Sequence, residues 1–189
     1  GAYGARLHEP NGVLITLGTA HVIYACETTP PEPGSALARG PYPGRLHYRM
    51  DADDCGGSVV NWARALLCAD ASDAAFFALA EKADAGCQGL VFEADLPRSR
   101  GAWTPLSLRH SRADMARSVL EALVRRLVKQ VERLRVTIAP GGVFVAGGGS
   151  RQPLWVRLLS DALRCPLTVT DASPLTGAAR MAHSFIGKI

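Results

Sequence analysis

The residues of this chain whose types and spacing suit chemistry are glycines and small polar side chains, not paired acids or an activated nucleophile. Gly147-Gly148-Gly149-Ser150-Arg151-Gln152 follows the apolar run Val143-Phe144-Val145-Ala146 and precedes apolar positions at Leu154, Leu158, Leu159 and Leu163. That pattern predicts a buried strand, a bare turn and a helix capped by Ser150. A bare backbone at a helix N-terminus offers unpaired N–H groups and partial positive charge to an anion, which is the chemistry of nucleotide binding. Gly18-Thr19 lies between the strand-like runs Gly12 to Leu17 and Ala20 to Cys26, and a two-residue hairpin there presents N–H groups and a hydroxyl to a phosphate. A third glycine pair, Gly56-Gly57, opens a helix that carries Asn61 and Trp62, and it admits a ligand or another backbone at close range. Asp51, Asp53 and Asp54 read as caps for that helix, and His21, beside the hairpin, reads as a structural or surface histidine. No residue is a good candidate for a general base. Two other readings of the glycine turn stay open: a ligand-free tight turn, and a dinucleotide site with Asp171 as the ribose-binding acid. Against the latter, Gln152 stands where a third glycine belongs, and the unit comes last in the chain.

These groups need a scaffold. Leu46 to Met50 predicts a third strand, Gly56 to Leu67 and Ser72 to Ala83 two helices, and Leu90 to Phe92 a short strand. Glu27 to Arg45 contains five prolines and predicts a loop. Ser111 with Asp114 three residues on predicts a capped N-terminus for the longest helix. Its apolar face runs through Met115, Val119, Leu123, Leu127, Val131 and Leu134. After the glycine turn come a strand over Leu167 to Thr170 and a last helix from about Thr176 to Phe185. An antiparallel hairpin group followed by strands alternating with helices makes an α/β chain, a mixed sheet with helices on both faces. This is the element order of a ribonuclease-H-like domain, the unit of actin-like ATPases.

The chain has 189 residues, 48% hydrophobic and 20% charged, which suits a single domain with its own core. The net charge of +4 comes from scattered basic residues, densest at Arg125, Arg126, Lys129, Arg133 and Arg135. Without interleaved aromatics these read as a solvated helix face, and they argue against a nucleic-acid partner. The five cysteines, with no ligand spacing, read as reduced thiols of a cytoplasmic protein and not as metal ligands. No span suggests a membrane. The opening Gly1 to Ala5, without an initiator Met, reads as the end of a helix entered midway.

Four stretches resemble the carboxy-terminal domain of the FGGY carbohydrate kinases. Ile15-Thr16-Leu17-Gly18-Thr19-Ala20 is similar to the family's second phosphate motif, with Ala20 where Ser is usual. Gly56-Gly57-Ser58-Val59-Val60-Asn61-Trp62 resembles its glycine-led helix. Gly101-Ala102-Trp103-Thr104-Pro105-Leu106 with Asp114-Met115-Ala116-Arg117-Ser118-Val119-Leu120-Glu121 follows its second signature, with Pro105 for Gly, and the preceding loop, Phe92 to Arg100, looks shortened. Gly147 to Trp155, with Asp171-Ala172-Ser173-Pro174-Leu175-Thr176-Gly177-Ala178-Ala179 behind it, looks like the adenosine motif and the closing small-residue helix. The resemblance implies the ATP/ADP-binding half of a sugar or polyol kinase, using Mg²⁺ and inactive alone. It places Gly148, Gly149 and Gln152 at the adenosine end, Gly18 and Thr19 at the outer phosphates, and Gly57 with Asn61 near the nucleotide. The catalytic base and the sugar-binding N-terminal domain would lie outside this chain, and a homodimer is compatible with it. A degenerate half kept as a regulatory or interaction module is the alternative, and an oxidoreductase domain the more distant one.

Overall fold

Alternation in the central strands decides which face of the sheet is buried. In β1 (Val13–Leu17), β2 (His21–Glu27) and β7 (Val143–Ala146), the residues Val13, Ile15, Leu17, Ile23, Ala25, Val143 and Val145 all point into one core with almost no exposure. Period-two side chains make each strand commit a whole face at once, so the helices must gather on that side. The computed structural model describes residues 2–5, 10–30, 37–68, 72–95, 100–171 and 174–186. Gly1, part of the proline-rich segment (31–36), the middle of the shortened loop (96–99) and Ala172-Ser173 fall outside it.

The main sheet has six strands in the order β3-β4-β2-β1-β7-β8, with β3 at Ala38–Tyr42, β4 at Leu46–Asp53 and β8 at Thr168–Val169. β1 is antiparallel to β2 and parallel to β7, which is parallel to β8. The sheet is therefore mixed, as expected. The parallel sheet that a dinucleotide fold needs is absent among the described residues, because β2, β4 and β3 join antiparallel. Helices α1 (Gly57–Cys68), α2 (Asp73–Ala80), α3 (Arg112–Leu134) and α4 (Pro153–Leu163) share the main core with the inward strand residues. On the other face Ala2 and Ala5 pack with Leu14, Tyr24, Phe144 and Ala146. Arg180 of α5 (Pro174–Ile186) donates to the Gly4 carbonyl oxygen at 2.7 Å, tying that helix to the same face.

α3 is the spine. Its capping box is complete: Ser111 Oγ accepts from the Asp114 N–H at 3.3 Å, and Asp114 Oδ2 accepts from the Ser111 N–H at 2.8 Å. The Ser111 N–H bond, opposed by burial and helped by the Ser111 hydroxyl and Gln88, holds the Asp114 carboxyl below the usual carboxylate range.

Several expectations change. The segment Glu27 to Arg45 contains β3. Pro41 is tolerated there because β3 is an edge strand whose outer side needs no donor. A second strand, β6 (Arg100–Thr104), pairs with β5 (Val91–Asp95) in a separate ribbon. Its alternation was hidden by glycine and alanine, and Trp103 anchors it by donating to the Met115 carbonyl of α3 at 3.2 Å. Asp51 and Asp53 do not cap α1. Asp53 takes a two-pronged bond from Arg126 (2.7 and 2.8 Å), and Asp51 pairs with Arg133, so part of the supposed solvated basic face ties α3 to β4. Ser150 does not cap α4. It lies in a 3-10 turn over Gly148–Arg151, its hydroxyl donating to the Gly147 carbonyl at 2.7 Å, and α4 begins at Pro153 with Gln152 as cap. Pro at the first helical position needs no N–H, which lets the turn end there.

Replacing Ser111 by Ala removes one half of the capping box. The expected loss is about 1 kcal/mol of unfolding free energy, measured by urea denaturation. Lowering the pH through the carboxylate range should remove part of the difference from wild type, because a depressed Asp114 pKa contributes stability only above it.

Candidate functional site

The site begins with a contact between backbones. The β1–β2 turn is a three-residue loop, Gly18-Thr19-Ala20, because Leu17 sits opposite His21. The loop is one residue longer than the expected two, and His21 lies on the inward face of β2 with Ile23 and Ala25. At the far side of this loop α1 starts, and its first two N–H groups are used: Gly57 donates to the Gly18 carbonyl oxygen at 2.8 Å and Ser58 to that of Thr19 at 3.0 Å. These are two of the donors every helix start leaves unpaired. A Cβ on Gly57 would stand 2.8 Å from the Gly18 oxygen, so the close approach requires glycine. The backbone that the Gly56-Gly57 pair admits is the hairpin itself.

The third wall is the glycine turn after β7. Gly147 has φ +94°, and a Cβ there would meet the Leu17 carbonyl oxygen at 2.7 Å, so it is held against the end of β1. Gly148 differs: nothing lies within 4 Å of where its Cβ would be. Gly148 also lines the cleft. Gly18, Thr19, Gly57, Asn61, Gly148, Gly149 and Gln152, all seven residues singled out in the sequence, line one cavity of about 290 Å³. Sequence reasoning missed its floor. Val60, Phe77 and Trp155 form it, with Phe77 and Trp155 in ring contact at 5.9 Å. It also missed Asp73, at the start of α2, which lines the cleft with a carboxylate oxygen 3.4 Å from Arg64 Nε. An apolar helical periodicity marks Phe77 and Trp155 as core, and nothing in the sequence distinguishes core that borders a cleft.

The cleft is lined by Gly18 and Thr19 at the hairpin, by the amide-bearing Asn61 and Gln152, and by an aromatic floor. The indole N–H of Trp155 is buried without a hydrogen-bond partner. This combination suits a planar group bearing a polar, negatively charged tail. A larger cavity, about 890 Å³, lies between the β5–β6 ribbon and α3, lined by Trp62, Phe92, Arg125 and Lys129 among others. It contains none of the seven. Among the described residues no three His, Cys, Asp or Glu side chains gather to hold a metal ion.

His21 is fully buried beneath the hairpin, edge-on to Trp155 at 5.5 Å, with both ring nitrogens unpartnered. Burial pushes its pKa down to about 4, Asp53 opposing and Arg126 adding to the shift. It is structural and neutral, not a surface histidine. Burial raises the Asp53 carboxyl, but the Arg126 hydrogen bonds and the Cys55 N–H outweigh it and hold it below the usual range.

A glycine-rich turn and a Gly-Thr hairpin meeting over one mixed sheet belong to a ribonuclease-H-like domain of the actin-like ATPase kind. The chain belongs to the FGGY family of carbohydrate kinases, as their C-terminal domain, which it matches over residues 13–184. It is 30% identical to a xylulose kinase of Klebsiella pneumoniae over 97% of its own length and 41% of that protein's. The crystal structure of xylulose kinase from Rhodospirillum rubrum superposes with a TM-score of 0.83 at 29% identity, covering 94% of this chain and 38% of that one. Glycerol kinase of Plasmodium falciparum, solved with ADP, shares the fold at a TM-score of 0.74 and 16% identity, over 94% of this chain and 38% of that one. The chain thus spans about two fifths of the length of these relatives.

Two outcomes follow from this geometry. Gly57→Ala should destabilise by about 1–3 kcal/mol through overpacking, reversing the usual gain of Ala over Gly in a helix; thermal unfolding checks it. Because His21 is neutral in the fold and takes a proton only near pH 4, the unfolded chain binds more protons between pH 6.5 and 4. Stability is therefore complete above about 6.5 and should fall below it by up to about 1.4 kcal/mol per pH unit. His21→Phe should flatten that part of the profile.

Proposed function

We propose that the chain is the nucleotide-binding half of an ATP-dependent kinase that phosphorylates a sugar or polyol hydroxyl. The observation that carries this is the meeting of Gly18, Thr19, Gly57, Asn61, Gly148, Gly149 and Gln152 around one cleft. The phosphates lie at the Gly18-Thr19 loop, where backbone N–H groups and the Thr19 hydroxyl face developing negative charge. The purine lies over Phe77 and Trp155, between the amides of Asn61 and Gln152. Phosphoryl transfer is chiefly positioning and charge stabilisation, and this wall supplies the positioning of the donor. Mg²⁺ carried in with the nucleotide would neutralise part of the phosphate charge, and the Thr19 hydroxyl would stand beside it.

Of the acids before α1, Asp53 pairs with Arg126 and Asp51 with Arg133. In this reading the general base and the sugar pocket come from an N-terminal kinase domain that closes over the cleft. The cavity of about 290 Å³ falls at the small end of ligand sites (about 300–1,000 Å³), as one wall of a two-walled site would. Alone, the chain binds nucleotide without catalysing transfer. None of the five cysteines is in a disulfide, which supports a reducing, cytoplasmic setting.

Calorimetric titration with Mg-ADP, with NAD as comparison, tests the reading. Expected is binding of ADP, weak or no binding of NAD, and loss of ADP binding in Gly148→Arg, whose side chain enters open space without disturbing the fold. The partner control is Gly149→Ala. Its Cβ would meet Leu17 and Trp155 at 2.8 Å, so it should lower stability by about 1–3 kcal/mol instead. ADP binding undiminished in Gly148→Arg would sink the proposal.

A further inference from the structure

Asp73 is the one acidic side chain lining the cleft among the described residues, and the functional reading above leaves it without a role. A carboxylate beside the phosphate end would repel the ligand. Its position answers this. α1 serves as a ruler along the cleft: Gly57 touches the hairpin, Asn61 lies one turn further, and Arg64, which pairs with Asp73, lies seven residues from Gly57. Seven residues of helix span about 10 Å, comparable to the reach of an extended nucleotide from its outer phosphates to its base. Asp73 therefore stands at the base end, beside Phe77 of its own helix.

An ionised carboxylate only accepts hydrogen bonds. The amides of Asn61 and Gln152 both donate and accept, so they suit several base edges equally. The Arg64 Nε lies 3.4 Å from Oδ1 and sets an opposite charge beside the carboxylate. We infer that Asp73 is a specificity-determining residue that accepts a hydrogen bond from the exocyclic 6-amino group of adenine, so that the cleft selects a base with a donor at that place. The inference rests on the reading of the cleft as a nucleotide site. An acid at the first position of a helix is also favourable by itself, through the helix dipole. That structural role would act on stability and leave the choice of base untouched.

The test measures that choice. Dissociation constants of ADP and of purine riboside 5′-diphosphate, which differs from ADP only in lacking the 6-amino group, are determined by calorimetry with Mg²⁺. Wild type, Asp73→Ala and Asp73→Asn are compared, with GDP as a further ligand. Expected is a preference of wild type for ADP of about tenfold, the size of one hydrogen bond to a charged, partly exposed acceptor. Asp73→Ala should bring the two ligands within about twofold, and Asp73→Asn, which keeps an acceptor oxygen, should retain part of the preference. Equal binding of both by wild type, or a preference that survives in Asp73→Ala, overturns the inference while the nucleotide site stands. Tighter binding of GDP than ADP, lost in Asp73→Ala, also overturns it, since the acid would then read the N–H edge of a keto base. If wild type binds none of the three at millimolar concentration, the nucleotide reading itself fails and takes this one with it.

Discussion

Two hydrogen bonds between main chains hold this domain's functional surface together: Gly57 N–H to Gly18 carbonyl and Ser58 N–H to Thr19 carbonyl. They join the tip of the β1–β2 hairpin to the start of α1. Each end solves the other's problem, because a helix start has spare donors and a tight loop has spare acceptors. The bond lengths of 2.8 and 3.0 Å are reached only because Gly57 has no side chain. The glycine turn after β7 reaches the same strand end from the third side, with Gly147 against the Leu17 carbonyl. Three segments distant in sequence thus meet at the end of β1, and the cleft is the space left among them.

The rest of the fold keeps those three ends in register. The parallel pairing of β1 with β7, from Val13 opposite Val143 to Thr16 opposite Ala146, sets the glycine turn level with the hairpin. α3 fixes the hairpin's other strand indirectly. Its Arg126 grips Asp53 of β4, which lies opposite His21 of β2. A neutral, buried His21 fills the space under the loop, and Trp155 packs on it from α4. The buried imidazole makes that support dependent on pH. The ion pairs fasten strand to helix at the rim, where partial exposure limits what each contributes.

Much of this was legible in the sequence because glycine, proline and apolar spacing carry local rules. The long capped helix, the first strands and the three glycine-led stretches follow from such rules, and the family resemblance ordered them. The errors arose where a tertiary contact chose between local options. Ala20 joined the turn, which made the expected two-residue loop a three-residue one. Ser150 bonded back to Gly147 and left the capping position to Gln152. Asp51 and Asp53 found arginines on α3, 82 and 73 residues away, in place of the neighbouring helix. β6 had no alternation to show, since Gly101 and Ala102 mask it and only packing on α3 makes it a strand. The seven cleft residues were readable one by one. Phe77, Trp155 and Asp73 were not, because their nearness to the cleft is a property of the packed helices.

The open space at Gly148 and the crowded space at Gly57 and Gly147 have one consequence in common. The cleft is specified by atoms that are missing. At such positions every substitution is an addition, so the information needed to keep the site is a prohibition and not a choice among side chains. A surface of that kind degrades in one direction. It fills or it is pushed apart, and no compensating replacement at the same position can restore it.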